Sequence, residues 1–154
     1  MIQRIQSLFL VFSAVSGICS FFIPFWTYSG VDYAYTFGTL GVKLINGNAQ
    51  SIAVGTLPLI ILIGLNVILD FVALFYFKNR LKQVKINTFN LFISIVIIGT
   101  VFLAVPHMIK QQLVVTEEWD FGLFFPILNF VLLLLANRFI KKDEKLVKAA
   151  DRLR

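Results

Sequence analysis

The chain of 154 residues holds one cysteine, Cys19, and one histidine, His107. A lone thiol forms no internal disulfide and rules out paired-cysteine redox chemistry. With a single histidine besides, a Cys/His metal centre is excluded. Charge is scarce as well. Charged residues make up 14% of the chain and hydrophobic ones 58%, and the mean hydropathy is +0.86. A soluble domain of this length needs more charge to cover its surface. The apolar residues fall in long blocks, without helical or strand alternation. That pattern reads as an integral membrane protein, and the length allows one compact domain.

Four apolar blocks stand out, at about residues 5–26, 55–77, 88–105 and 119–139. Pro24 closes the first and Pro106 stops the third. Pro58 lies in the first turn of the second, where a helix tolerates it, and Pro126 lies inside the fourth. Each block is roughly 18–23 residues, enough to cross a hydrocarbon core about 30 Å thick. The first exceeds a typical signal-peptide apolar region and no A-x-A site follows it, so it is expected to stay as a helix. The fold class expected is an all-α membrane protein: one domain over 1–154, four transmembrane helices in an antiparallel up-down bundle, and a cytoplasmic helical tail over 140–154.

Basic residues fix the expected orientation. All but two of the fourteen lie at Arg4, in the loop between spans two and three, or in the C-terminal tail. Only Lys43 and Lys110 fall on the other side. Cytoplasmic loops carry the excess of Lys and Arg, so both termini are expected in the cytoplasm. The net charge of +6 is then topological, and no nucleic-acid partner is implied.

The first outer loop, 27–54, contains "VKLINGN", a β-prone run with an Asn46-Gly47 turn signal. It predicts a small β-hairpin over the outer face. Trp26, Tyr28 and Trp119 sit where an outer aromatic belt belongs. His107, after Pro106, reads as an interfacial polar residue.

The second span carries Asn66 and Asp70 one helical turn apart. An aspartate at a helix centre costs about 2.5–3.5 kcal/mol on insertion. Fourteen Leu, Ile, Val and Phe residues between Leu59 and Phe77 contribute roughly −4 to −8 kcal/mol. The span inserts, but the carboxylate needs a partner. Counting depth from the cytoplasmic ends puts Ser13 and Ser94 near the level of Asp70, and Ser16 and Asn129 near that of Asn66. A polar layer is therefore expected: Asp70, Asn66, Ser13, Ser16, Ser94 and Asn129, all facing the bundle interior because lipid offers no hydrogen bonds. In span one, Ser13, Ser16, Gly17 and Ser20 form a one-sided stripe that allows close helix approach. Three roles are open for Asp70: hydrogen-bonded glue between helices, a proton- or cation-coupled site, and a docking point for a partner's helix.

The tail "KKDEKLVKAADRLR" places Leu146, Ala149, Ala150 and Leu153 on one helical face, with a favourable Glu144–Lys148 pair. It lies on anionic lipid, binds a partner, or only fixes topology.

"MIQRIQSLFL", "FYFKNRLKQVKIN" and "ANRFIKKDEKLVKAADRLR" resemble, in this order and across the whole chain, a bacterial four-span membrane family catalogued as a domain of unknown function. The resemblance implies the inner membrane of Gram-negative bacteria. It brings no activity and no catalytic residues. All three motifs fall at the cytoplasmic end, where Arg4, Lys78, Arg80, Lys82, Lys85, Lys141 and Lys142 form a candidate basic surface. With no convergent nucleophile, acid–base pair or metal ligands, neither an enzyme nor a cofactor is expected. The function expected is a non-catalytic accessory or scaffold subunit of a larger membrane assembly, with the bilayer and other membrane proteins as partners. The alternative is an oligomeric small-solute or ion transporter using Asp70.

Overall fold

The computed structural model describes residues 2–30, 34–46, 56–104, 106 and 116–152. Helix α1 runs Ile2–Phe22 and ends just before Pro24, which lacks an amide donor. Helix α2, Leu57–Phe75, has Pro58 in its first turn. A 3₁₀ turn, Tyr76–Lys78, and Asn79 (φ −117, ψ 81) break the chain before α3, Arg80–Gly99. Helix α3 continues into a π turn, Thr100–Ala104. Another 3₁₀ turn, Phe121–Leu123, opens α4, Phe124–Arg152. Pro126 thus sits in the first turn of α4, where its missing N–H removes no intrahelical bond. The segment read as a loop between spans two and three is largely the first two turns of α3.

Helix α1 packs against α2 and α4, and α3 packs against the same two. The faces they turn outward are apolar: Phe12, Ile61, Ile68, Phe92 and Ile95 are all exposed. Asn66, Asp70, Asn87, Asn90 and Asn129 are buried. This inverts the soluble pattern, in which Asp and Asn go to the surface. The stretches Leu57–Phe75, Arg80–Leu103 and Phe121–Lys145 are long and apolar enough to cross a membrane, and Gln6–Phe22 is a shorter apolar helix. The 19 residues of α2 span about 28 Å at 1.5 Å per residue, close to the hydrocarbon thickness.

The all-α expectation needs correction. A four-stranded antiparallel sheet, in the order β3-β2-β1-β4, caps one end of the helices. Its strands are β1 (Trp26–Ser29), β2 (Ala34–Gly38), β3 (Gly41–Asn46) and β4 (Thr116–Trp119). The expected hairpin exists as β2–β3, but its turn is Thr39-Leu40, with Gly38 paired to Gly41. Gly41 adopts φ +134, a conformation in which a side chain is strained. Gly47 lies outside the described residues, as do His107, Lys110 and Tyr33. The other two strands come largely from segments read as loops, with only Trp26 and Trp119 at the ends of the expected spans one and four. Pairing Trp26 with Trp119 joins residues far apart in sequence, which no local pattern reveals.

The aromatic belt is also revised. Trp26 and Tyr28 are buried at 4% and 0% exposure, and only Trp119, at 77%, faces outward. Trp26 and Tyr28 alternate with half-buried Thr27 and Ser29, so β1 turns its aromatic face to the helices. There they join Phe25, Phe37, Leu59, Ile63, Ile97, Val101 and Leu123 in one apolar cluster. Trp26 Nε1 donates to the Val101 carbonyl at 3.0 Å, inside the π turn, where helical hydrogen bonding is irregular. Thr39 Oγ1 donates to Ser20 O, tying the hairpin tip to α1. Gly122 N donates to Pro24 O at 3.1 Å, and a Cβ on Gly122 would overlap that carbonyl.

Candidate functional site

Each helix buries residues at alternating spacings of three and four. On α2 these are Leu59, Ile63, Asn66, Asp70 and Ala73. On α3 and the π turn that continues it they include Gln83, Asn87, Asn90, Ser94, Ile97 and Val101. On α4 they include Asn129, Leu133, Ala136, Ile140 and Asp143. This is the seam of helices packed side by side, with a mean period of 3.5 residues. The seam is apolar beside the sheet and turns polar halfway along.

At that transition the polar side chains close a ring through all four helices. Ser13 Oγ (α1) donates to Asp70 Oδ2 at 2.9 Å. Asn129 Nδ2 (α4) donates to Ser13 Oγ at 2.9 Å and to Ser13 O at 2.9 Å. Ser94 Oγ (α3) lies 3.0 Å from Asn129 Oδ1 and 3.1 Å from Asn90 O, its two acceptors. Asn66 Nδ2 (α2) donates to Ser94 Oγ at 2.9 Å. Asn90 Nδ2 (α3) donates to Asn66 O at 3.1 Å and to Asp70 Oδ1 at 2.8 Å, which completes the circuit. Each carboxylate oxygen of Asp70 thus receives a donor. No basic group pairs with it among the described residues.

Of the six residues expected in the polar layer, the ring joins five: Asp70, Asn66, Ser13, Ser94 and Asn129. Ser16 is buried but lies outside it, donating to Phe125 O at 2.8 Å. Asn90, which closes the ring, was missed, because a span starting at Thr88 puts it near a helix end. The signal was present: Gln83, Asn87, Asn90 and Ser94 recur at four, three and four residues, a polar stripe on one helical face. A second polar tier follows toward the far end. Gln83 Nε2 donates to Ala73 O at 3.0 Å, Asn87 Nδ2 to Leu133 O at 3.0 Å, and Asn137 Nδ2 to Thr88 Oγ1 at 3.2 Å. Gln6 Nε2 donates to Phe139 O at 3.2 Å.

These bonds gather the N-terminal end of α1, the 76–88 segment and the second half of α4 at the end opposite the sheet. Lys82, Lys85, Lys141 and Lys142 are exposed there. Arg80 is not part of a free basic surface, since its Nη2 sits 3.0 Å from Asp143 Oδ2. The backbones of Arg4 and Lys78 fall in described elements, while their side chains lie outside what is described. At the sheet end, Tyr28 pairs in register with Glu117. Burial, and secondarily the Glu117 charge, pushes the Tyr28 phenol above its ordinary pKa. Among the described residues no group of three His, Cys, Asp or Glu is placed to hold a metal ion.

The ring can bond helices to one another and hold a carboxylate away from water. It presents no nucleophile–base pair. Residues 2–153 match the family model described as a domain of unknown function, DUF4293. No curated protein matches the chain.

Proposed function

The chain belongs to the DUF4293 family, a domain of unknown function, and from that premise we propose that it is a non-catalytic accessory or scaffold subunit of a bacterial inner-membrane assembly. Its four helices cross the bilayer as an up-down bundle, with both termini in the cytoplasm and the sheet on the outer face. The positive-inside bias supports that orientation, because Lys82, Lys85, Lys141 and Lys142 lie together at the end away from the sheet. The observation that carries the functional reading is the closed ring around Asp70. A carboxylate with a donor on each oxygen, 1% exposed, is built to hold helices together. A transporter using Asp70 would need a path to it. The void bordering the ring, lined by Gly17, Asn66, Ser94 and Asn129, measures about 10 Å³, room for about one water molecule.

The exposed basic end is then the surface offered to other subunits. Affinity purification from native membranes in a mild detergent should recover partners in fixed stoichiometry. Combined Lys82→Glu, Lys85→Glu, Lys141→Glu and Lys142→Glu substitution should release them while the protein stays in the membrane fraction. Recovery of the chain alone in every detergent tried would overturn the proposal.

A further inference from the structure

Beyond the ring and the basic end, one open groove sits where the sheet meets the end of α1. Its volume is about 270 Å³. Phe21, Phe22 and Pro24 form one wall, and the β2–β3 hairpin forms the other with Thr36, Leu40 and Lys43. Two cross-strand glycines, Gly38 and Gly41, leave the space: a Cβ on Gly41 would meet nothing within 4 Å. The groove is open to the lipid-facing side of α1, since Phe22 is 76% exposed and Leu40 57% exposed. Lys43 is exposed at its edge and is the one basic residue at the sheet end among the described residues.

We propose that this groove holds the headgroup of an anionic phospholipid from the outer leaflet, its phosphate on Lys43 and an acyl chain along Phe22 and Leu40. An apolar wall on the membrane side and a cation on the aqueous side match an amphiphile with one negative group. The cavity is too small to enclose a whole lipid. The tail therefore lies outside it, against apolar side chains that already face the hydrocarbon. Thr36, the register partner of Lys43, also lines the groove; its hydroxyl donates to the Lys43 carbonyl at a long 3.4 Å, a contact that a phosphate oxygen can replace. Lys43 is one of only two basic residues, with Lys110, that the sequence puts outside the flanks read as cytoplasmic. The positive-inside bias disfavours it there, and a phosphate ligand gives it a role.

The inference rests on the membrane-spanning reading. Failure of that reading shows separately, as protein released from membranes by an alkaline carbonate wash. The test is native mass spectrometry of the full chain in detergent, titrated with phosphatidylglycerol or with phosphatidylcholine. The wild type should retain phosphatidylglycerol preferentially. Lys43→Glu should weaken that retention about tenfold, the scale of losing a charge-assisted contact, and Lys43→Arg should keep it. Lys85→Glu, at the other end, should leave it unchanged. Equal retention by Lys43→Glu and wild type overturns the proposal. So does displacement by millimolar inorganic phosphate with no dependence on acyl chains, which would mark a free-anion site.

Discussion

Asn90 on α3 donates from one amide nitrogen to two acceptors on α2, Asp70 Oδ1 at 2.8 Å and the Asn66 carbonyl at 3.1 Å. The pair couples the buried carboxylate to the backbone of its own helix through a neighbouring one. Interhelical hydrogen bonds in membranes average well under 2 kcal/mol each. Asn90 makes two of them, and one goes to a buried carboxylate that would lose half of its donors.

Asn90→Leu is therefore expected to destabilise the protein by about 1–3 kcal/mol, chiefly through the carboxylate left short of a donor. Asn87→Leu breaks one bond to a backbone carbonyl and should cost less. Melting temperatures in a fixed detergent compare the two directly. A smaller loss for Asn90→Leu than for Asn87→Leu would show that the two ring bonds from α3 to α2 weigh less than the single bond from α3 to α4.

Asp70→Asn puts an amide where two donors, Ser13 Oγ and Asn90 Nδ2, now point. The new amide oxygen can face Asn90 Nδ2 and the Ser13 hydroxyl can rotate to accept from the amide nitrogen, but the Ser13 hydrogen then loses the carboxylate as its acceptor. The expected outcome is a stability loss of about 1–2 kcal/mol with partner recovery intact. Asp70→Leu removes both acceptors and should cost more. If Asp70→Asn keeps wild-type abundance and melting temperature but abolishes a cellular phenotype, Asp70 is a coupling residue and the scaffold reading falls.

A third expectation concerns the contact between α1 and α2. A Cβ on Gly17 would approach Val67 Cγ2 to 2.6 Å, and a β-branched side chain in a helix has little rotamer freedom with which to retreat. Gly17→Ala should destabilise by about 1–3 kcal/mol, the usual range for overpacking. Val67→Ala should relieve part of that loss. A double-mutant cycle read by thermal melting checks it, and strict additivity would exclude a direct clash.

Apolar blocks, basic flanks and the depth of polar residues made the helices and five members of the ring legible, because a hydrophobic solvent leaves polar groups only the interior. Asn90 was hidden by a misplaced boundary. The basic run "RLKQVK" looks like a loop by charge, yet its Gln83 and Asn87 extend the buried seam of α3. The sheet was illegible for another reason. Its edge pairing, β1 with β4, joins two segments far apart in the chain, and strand partners distant in sequence leave no periodic trace.

The ion pair between Arg80 and Asp143 offers a fourth test. With side chains 22% and 10% exposed, it is largely shielded from solvent at the end of the helices. Desolvation offsets much of the attraction, so the coupling energy is expected at about 1 kcal/mol. Its clearest sign is the response to a single truncation. Arg80→Ala leaves the Asp143 carboxylate shielded and unpaired, and it should cost more than the double replacement by Ala. Equal losses would mean the pair is a surface contact without energetic weight.

Trp26 bonds the π turn rather than a regular helix. A π turn widens the backbone and leaves some carbonyls without their usual i+4 donor, so a side chain from outside can take one. Trp26 Nε1 does this at Val101 O, while its ring stands edge to face with Trp119 at 6.1 Å and Phe102 at 6.3 Å. Trp26→Phe keeps an aromatic body and removes the donor. The unmet cost is that of a buried carbonyl, about 1–3 kcal/mol, together with a void where the larger ring stood. Two outcomes are then expected in hydrogen exchange of the detergent-solubilised protein: faster exchange at residues 100–104, and faster exchange along β1, which the same side chain anchors. Acceleration confined to β1 would mean that Trp26 serves the sheet alone and the π turn holds its shape through α3.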